Sequence, residues 1–378
     1  MPIEPPWLIL CIDDDKQVLG ELEEFLASEE VDTEGSIPQV LVEGDFDRGL
    51  QRIESTRVDL LVLDVRVGTG HQQPGIEVLE QVKKRRFLPV VFYTAIPGSV
   101  RDLASPVIRV VEKTEGLRRL LEEVRAVFST KVPTVNRALI QHVEAVQRNY
   151  MWEFVSPQWE AFGEAGDKRA LAYLLARRLA VSLSGAGIGR LAEDLGDVQG
   201  AEATPEGIPP MRYYLLPPVE PTPLAGDIYQ GTIDGADGYW LLLTPSCDLV
   251  EEHVKADLVL FARCLPLEGE EEYQKWHDGW PQPSITVTDP LRRLLRNSRT
   301  KGQSERYYFL PGTLTLPHLV VDLQFLARQP HAELGSLARI ASLDSPFAEE
   351  VISRFLRYWG RLGTPDLDIS LVLQQLMS

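Results

Sequence analysis

Five polar residues with phosphoryl or metal chemistry each follow a short apolar run of the sequence. They are Asp13, Asp14, Asp64, Thr94 and Lys113. Two or three carboxylates, with carbonyl and water oxygens, are ligands that suit Mg²⁺, and an aspartate can also accept a phosphoryl group as a nucleophile. A threonine hydroxyl and a lysine ammonium can bind phosphoryl oxygens. If the fold gathers these residues, the sequence predicts a site for a divalent cation and a phosphoryl group.

The apolar runs themselves predict five β-strands that alternate with helices. The predicted strands cover residues 7–12, 38–42, 58–63, 88–93 and 107–111. Continuous apolar runs are typical of strands buried on both faces of a parallel sheet, and sites in such sheets lie beyond the carboxyl ends of the strands. Residues 1–129 are therefore predicted to form an α/β domain with a doubly wound five-stranded parallel sheet. The alternative for the polar residues is a structural Lys–Asp pair with unrelated acids nearby.

These same residues give the N-terminal third a resemblance to response-regulator receiver domains. The matching segments are IDDD, LLVLD, VVFYTA and VVEK. The resemblance implies a flavodoxin-like fold, a sensor histidine kinase as partner, and phosphorylation of Asp64. The residues it implies for the site are Asp13, Asp14, Asp64 and the backbone carbonyl of Arg66 for Mg²⁺, with Thr94 and Lys113 for the phosphoryl group.

The sequence departs from the receiver pattern in the region that usually transmits the signal. The loop 64–75 is longer than usual and lacks the Met-Pro of the family, and the segment 96–105 is so short that the fourth helix is expected to be stunted or absent. Val110 stands in place of the switch aromatic, and Thr114 stands where a proline usually follows the lysine. These changes leave the predicted phosphoacceptor site intact. They also open the alternative of a docking module that works without phosphorylation.

The remainder of the chain predicts two further regions. Residues 130–195 show helical periodicity and are predicted to form a helical connector, preceded by a linker at 129–135. Residues 196–378 are predicted to be an α+β effector domain with a small β-barrel and C-terminal helices. The segment 226–233 begins with Gly-Asp-Ile and resembles the first strand of SH3-like barrels of the PemK/MazF class. This similarity covers a few tens of residues, and no catalytic residue is carried over from it.

Cys247 and Asp248 form a separate candidate site in the effector region. They follow a predicted strand and a Thr-Pro-Ser turn. Cys247 could act as a nucleophile or, with Cys264 and a histidine such as His253, as a metal ligand. The alternative is that these cysteines are small core side chains, as cysteines on apolar strands usually are. The candidate motivates a second hypothesis, in which the receiver-like domain only docks and the C-terminal domain is an enzyme, for example one that cleaves RNA.

Composition and charge restrict the classes of function. The chain has 378 residues and a formal net charge of −18, whereas nucleic-acid binding needs a basic surface. DNA binding is therefore not expected, and a transcription factor is the least favoured hypothesis. Three cysteines cannot form a disulfide framework, the N-terminus lacks signal-peptide features, and no apolar run approaches about 18 residues. We expect a cytoplasmic response regulator that acts through a protein partner or an unidentified ligand, with a homodimer left open.

Overall fold

The computed structural model describes residues 5–65, 73–159, 168–183, 207–250, 254–300, 304–361 and 367–377. The chain divides into two compact units, unit 1 (Met1–Ala203) and unit 2 (Thr204–Ser378). The predicted boundary between residues 195 and 196 lies outside the described residues.

Unit 1 is built on a five-stranded parallel sheet. Its strands are β1 (Leu8–Ile12), β2 (Gln39–Glu43), β3 (Leu60–Leu63), β4 (Val90–Thr94) and β5 (Ile108–Glu112). The order β2-β1-β3-β4-β5 is that of flavodoxin-like doubly wound sheets, in which the ligand crevice opens where the strand order reverses, between β1 and β3. All of β3 is buried, as its continuous apolar run predicts. The predicted fold class of this region is confirmed.

Helices cover both faces of this sheet. They are α1 (Lys16–Leu26), α2 (Phe46–Ser55), α3 (Pro74–Arg85) and α4 (Gly116–Ser129). Leu22 of α1 and Val124 of α4 pack on one face, and Ile53 of α2 and Val82 of α3 pack on the other. Between β4 and β5 the chain forms only two 3-10 turns, Pro97–Ser99 and Arg101–Leu103, in agreement with the stunted helix expected there.

The first helix of the connector follows α4 after only two residues. α4 ends at Ser129 and α5 (Val132–Tyr150) begins at Val132, so the linker predicted at 129–135 is wrong. Pro133 lies in the first turn of α5, where its missing N–H leaves no hydrogen bond unmade. A second connector helix, α6 (Lys168–Ser182), lies against α5, where Nε2 of His142 is 3.2 Å from Oγ of Ser182.

Unit 2 is built on a seven-stranded antiparallel sheet. Its strands are β6 (Tyr214–Leu215), β7 (Asp227–Ile233), β8 (Ala236–Leu242), β9 (Leu258–Pro266), β10 (Tyr307–Leu310), β11 (Leu319–Pro330) and β12 (Ala338–Leu343). The order is β10-β11-β9-β8-β7-β12-β6. The hydroxyl of Tyr214 in β6 donates to the carbonyl of Pro311, just after β10, at 2.7 Å. The small β-barrel expected from the sequence corresponds to this sheet, whose two end strands approach each other.

Within the described residues of unit 2, four helices accompany the sheet. They are α7 (Glu271–Asp278), α8 (Ile285–Leu295), α9 (Phe347–Trp359) and α10 (Ile369–Leu376). Apolar periodicity predicts α9 and α10, so the α+β class is confirmed. The sequence did not predict α7, which is short and mostly polar, or α8, which contains Pro290. In the described parts of the chain, every helix is too short or too polar to cross a lipid bilayer.

Candidate functional site

Three carboxylates meet at the carboxyl ends of β1 and β3. One oxygen from each of Asp13, Asp14 and Asp64 lies within 4.8 Å of the others, and the described residues contain no other group of three potential metal ligands. The two strands are adjacent and pair Ile12 with Leu63, so the residues that follow them are brought together by the register. Asp13 is 2% exposed and Asp64 is 7% exposed. Two of these carboxylates are therefore largely shielded from water.

Lys113 brings a positive charge into the same crevice from the end of β5. Its Nζ donates to Oδ2 of Asp13 at 2.6 Å and to Oδ2 of Asp64 at 2.8 Å. Since β4 lies between β3 and β5, the lysine side chain has to cross the carboxyl end of β4 to reach both acids. The hydroxyl of Tyr93 donates to the carbonyl of Lys113 at 3.3 Å and fixes the backbone from which the side chain extends. Tyr93 was not among the site residues predicted from the sequence.

Among the described residues, one ammonium, that of Lys113, is shared by the carboxylates of Asp13 and Asp64. Burial raises the pKa of Asp13, and hydrogen bonds from Lys113 and from the N–H of Asp15 only partly oppose it. Burial by itself would lower the pKa of Lys113, but its hydrogen bonds to Asp13 and Asp64 raise it above the ordinary value. Partly desolvated carboxylates that lie close together favour a cation, and a set of carboxylate oxygens suits Mg²⁺. The residues present therefore fit a magnesium ion.

The backbone around Asp64 is held tightly. Its Oδ1 accepts the N–H of Val65 at 2.7 Å, and its own N–H donates to the carbonyl of Ile12 at 2.9 Å. The first turn of α3 lies directly against this point, because a Cβ added to Gly75 would be 2.0 Å from the carbonyl oxygen of Asp64. Gly75 was not among the site residues predicted from the sequence. The available signal was a glycine immediately after a proline at the start of a predicted helix.

Thr94 is the last residue of β4 and its side chain is fully buried. Its Oγ1 accepts the N–H of Ile96 at 3.3 Å, so it touches the segment that continues into the two 3-10 turns. The strand that ends in Thr94, β4, lies between β3, which precedes Asp64, and β5, which precedes Lys113. Thr94 therefore stands at the same edge of the sheet as these two residues. Arg66, predicted to offer a carbonyl ligand, lies outside the described residues.

The second candidate site lies in a 3-10 turn, Ser246–Asp248, after β8. Cys247 is exposed, and its Sγ is 3.6 Å from Oδ1 of Asp248. Cys264 lies in the core of unit 2 and is 2% exposed, and burial raises the pKa of its thiol. Cys264 is therefore a small core side chain. His253 lies outside the described residues, and the described part of the chain does not bring Cys247 and Cys264 into a three-ligand group.

Comparisons with known proteins concern the N-terminal third of the chain. No protein-family model and no curated protein matches the sequence. Among solved structures, a CheY-like response regulator receiver domain protein from Methanospirillum hungatei is 25% identical, with 32% of this chain and 92% of that chain covered and a TM-score of 0.26. A response regulator protein from Thermotoga maritima, in complex with Mg²⁺ and BeF, is 24% identical, with 32% of this chain and 98% of that chain covered and a TM-score of 0.27.

A third solved structure is the receiver domain of a Francisella response regulator. It is 20% identical, with 34% of this chain and 99% of that chain covered and a TM-score of 0.28. In each of the three, the match spans nearly the whole of the other chain and about a third of this one. The N-terminal third of this chain is therefore similar to response-regulator receiver domains.

Proposed function

We propose that this chain is a two-component response regulator, in which Asp64 accepts a phosphoryl group from a sensor histidine kinase. The observation that carries the proposal is the position of Lys113, with its ammonium 2.6 Å from Asp13 and 2.8 Å from Asp64. A lysine used only for packing has no need to bridge two acids at a crevice between strands. A lysine that binds a phosphoryl group needs this position, because its ammonium must lie beside the acceptor oxygen both before and after phosphoryl transfer.

The transfer forms one bond and breaks one. An oxygen of Asp64 attacks the phosphorus of a phosphohistidine, an O–P bond forms, and the P–N bond breaks. The bonding electron pair leaves with the histidine nitrogen, which then takes up a proton. Lys113 exchanges its hydrogen bond to Asp64 for one to a phosphoryl oxygen, and the hydroxyl of Thr94 binds another. Both side chains offset the negative charge that the phosphoryl group brings.

The acids at the ends of β1 and β3 would hold Mg²⁺ during this transfer. Asp13, Asp14 and Asp64 provide carboxylate oxygens, and the carbonyl of Arg66 is the proposed fourth protein ligand. When bound, the ion neutralises phosphoryl oxygens so that they can approach a carboxylate. Asp13 is also held by the N–H of Asp15 at 2.9 Å, which leaves its other oxygen directed at Lys113.

The C-terminal unit would carry the output, through a protein partner and in the cytoplasm. The net charge of −18 supports a protein partner over DNA. The free thiols of Cys11, Cys247 and Cys264 support a reducing compartment.

A phosphodonor experiment on the full chain tests the proposal. The protein is incubated with acetyl phosphate and Mg²⁺, and the covalent adduct is measured by intact-mass spectrometry. We expect an adduct on the wild type that chelation of Mg²⁺ prevents and that Asp64→Asn lacks. Asp278→Asn, which changes an exposed aspartate at the end of α7 in unit 2, should keep the adduct. Absence of an adduct on the wild type, or an undiminished one on Asp64→Asn, would reject phosphorylation at this site.

A further inference from the structure

An apolar groove lies in unit 2 between α9 and the end strand β6. Its volume is about 620 Å³, and its apolar walls include Leu215 of β6 together with Ile352 and Leu356 of α9. Leu356 is 63% exposed, although it stands beside other apolar side chains on one face of its helix. A contiguous apolar surface of this kind gains free energy when another apolar surface covers it.

The C-terminal helix α10 presents an apolar stripe. Ile369, Leu373, Leu376 and Met377 follow the spacing i, i+4, i+7 and i+8, which places them on one face of a helix. Their exposed fractions are 65%, 53%, 77% and 81%. α10 has eight residues and none of them is charged. A helix this short is marginal in water, and its stability comes from the surface against which it packs.

The connection between α9 and α10 lets this stripe reach the groove of the same chain. α9 ends at residue 359 and α10 begins at residue 369. The residues between them can span up to about 30 Å when extended, whereas the 13 residues of α9 are about 20 Å long. The chain after α9 can therefore turn back and run beside it. Helices joined by short connections commonly pack antiparallel in this way.

We propose that α10 docks into this groove of its own chain, antiparallel to α9, with its apolar stripe against Ile352 and Leu356. The helix-in-groove mode uses anchors at the spacing that α10 has. The groove contains two charged lining residues, Asp344 and Glu349, both acidic, and an uncharged helix meets no repulsion from them. A tethered helix is present at an effective concentration in the millimolar range, which favours the same chain over a second copy. In the docked state α10 closes the groove to any other apolar partner.

Cysteine cross-linking on the full chain tests whether the helix in the groove is α10 of the same chain or α10 of a second copy. The background carries Cys247→Ser, which removes the exposed thiol and leaves the buried Cys11 and Cys264. Ile352→Cys combined with Leu373→Cys should give a disulfide within one monomer on mild oxidation. Ile352→Cys with Gln375→Cys, on the opposite side of α10, should give at least about tenfold less. Equal yields from the two pairs, or a disulfide-linked dimer instead of a cross-linked monomer, would overturn the proposal.

Hydrogen exchange supplies a second test that needs no cross-link. Leu356→Asp places a charge in the groove wall at a position that is already 63% exposed, so the fold of unit 2 should survive. We expect the amides of α10 to exchange at least about tenfold faster in this variant than in the wild type. Leu314→Asp, at a residue 89% exposed outside the groove lining, should leave their exchange unchanged. Identical exchange of α10 in the wild type and in Leu356→Asp would contradict docking.

Discussion

Arg137 of α5 and Asp59 form a buried ion pair at the end of β3 opposite Asp64. Their side chains are 8% and 7% exposed, and Nε of Arg137 lies 3.2 Å from Oδ1 of Asp59. The guanidinium also donates to the carbonyl of Pro5 at 2.8 Å and lies 3.6 Å from the centre of the Trp7 ring. The N–H of Leu8, which begins β1, donates to the same aspartate at 2.9 Å. One arginine thus fixes α5 to the amino ends of the two strands that carry the acidic site.

Removing this arginine should destabilise unit 1 strongly. In Arg137→Ala, Asp59 stays buried without its partner, and we expect a loss of about 3–5 kcal/mol in the free energy of unfolding. Urea denaturation of the full chain measures the change in the free energy of unfolding. Hydrogen exchange of the β1 and β3 amides shows whether the loss is located in unit 1. Arg119→Ala is the control, because that side chain is 45% exposed and pairs with Glu122 of its own helix α4 at 2.8 Å, so it should lose less than about 1 kcal/mol. Similar losses in the two variants would show that the buried pair does not anchor α5.

The contact between α3 and Asp64 gives a second prediction. Gly75→Ala places a Cβ 2.0 Å from the carbonyl oxygen of Asp64, so α3 must move away and we expect a loss of about 1–3 kcal/mol. Gly20→Ala is the matched control. Gly20 lies inside α1 with nothing within 4 Å of the added Cβ, so it should gain about 0.5–1 kcal/mol in helix propensity. Chemical denaturation of both variants measures whether their free energies of unfolding change in opposite directions. An unchanged free energy of unfolding in Gly75→Ala would contradict the close packing of α3 on Asp64.

The grouped acids predict that stability depends on Mg²⁺. In Lys113→Ala the carboxylates of Asp13 and Asp64 lose their shared ammonium, and we expect about 3 kcal/mol less stability without the ion. Mg²⁺ at about a hundred times the dissociation constant of the variant should restore about 2.7 kcal/mol. The wild type should gain less at the same Mg²⁺ concentration, because its Lys113 competes with the ion for the same carboxylates. Thermal unfolding at several Mg²⁺ concentrations measures this difference. Lys83→Ala changes an exposed lysine paired with Glu80 and should respond as the wild type does. An equal response in Lys113→Ala would argue against a shared cation site.

Alkaline pH should weaken unit 2 through Tyr229. Burial, reinforced by the negative charge of Asp227, raises the pKa of Tyr229 from 10.0 to about 12. The folded state therefore holds the phenol proton more tightly than the unfolded state. The resulting stability is complete below pH 10 and is lost as the pH rises toward 12. At pH 11 the loss should be about 1.4 kcal/mol.

Tyr229→Phe provides the control for this pH dependence. Phenylalanine has no proton to lose, so the variant should lack this part of the decline between pH 9 and pH 11. Urea denaturation at the two pH values gives the comparison. The same decline in the wild type and in Tyr229→Phe would assign the alkaline loss to other groups.

The sequence indicates that the acids of the crevice and Lys113 lie close together, because their positions follow from strand alternation. Asp64 and Lys113 are 49 residues apart, yet each follows an apolar run, and parallel strands bring their carboxyl ends to one edge. Asp59 and Arg137 are 78 residues apart and stand at no such position, so the pair depends on how α5 packs. Pro290 lies inside α8, where a proline disfavours a helix, but the burial of Leu291 and Leu294 stabilises that helix. Packing in three dimensions here outweighs local propensity.

The length of β6 bears on how unit 2 avoids aggregation. Exposed edge strands of a sheet can recruit strands from other molecules and start fibrils. The edge strand β6 has only two residues, Tyr214 and Leu215, so it offers few free backbone N–H and C=O groups to an incoming strand. This edge of the sheet is therefore a poor template for strand addition.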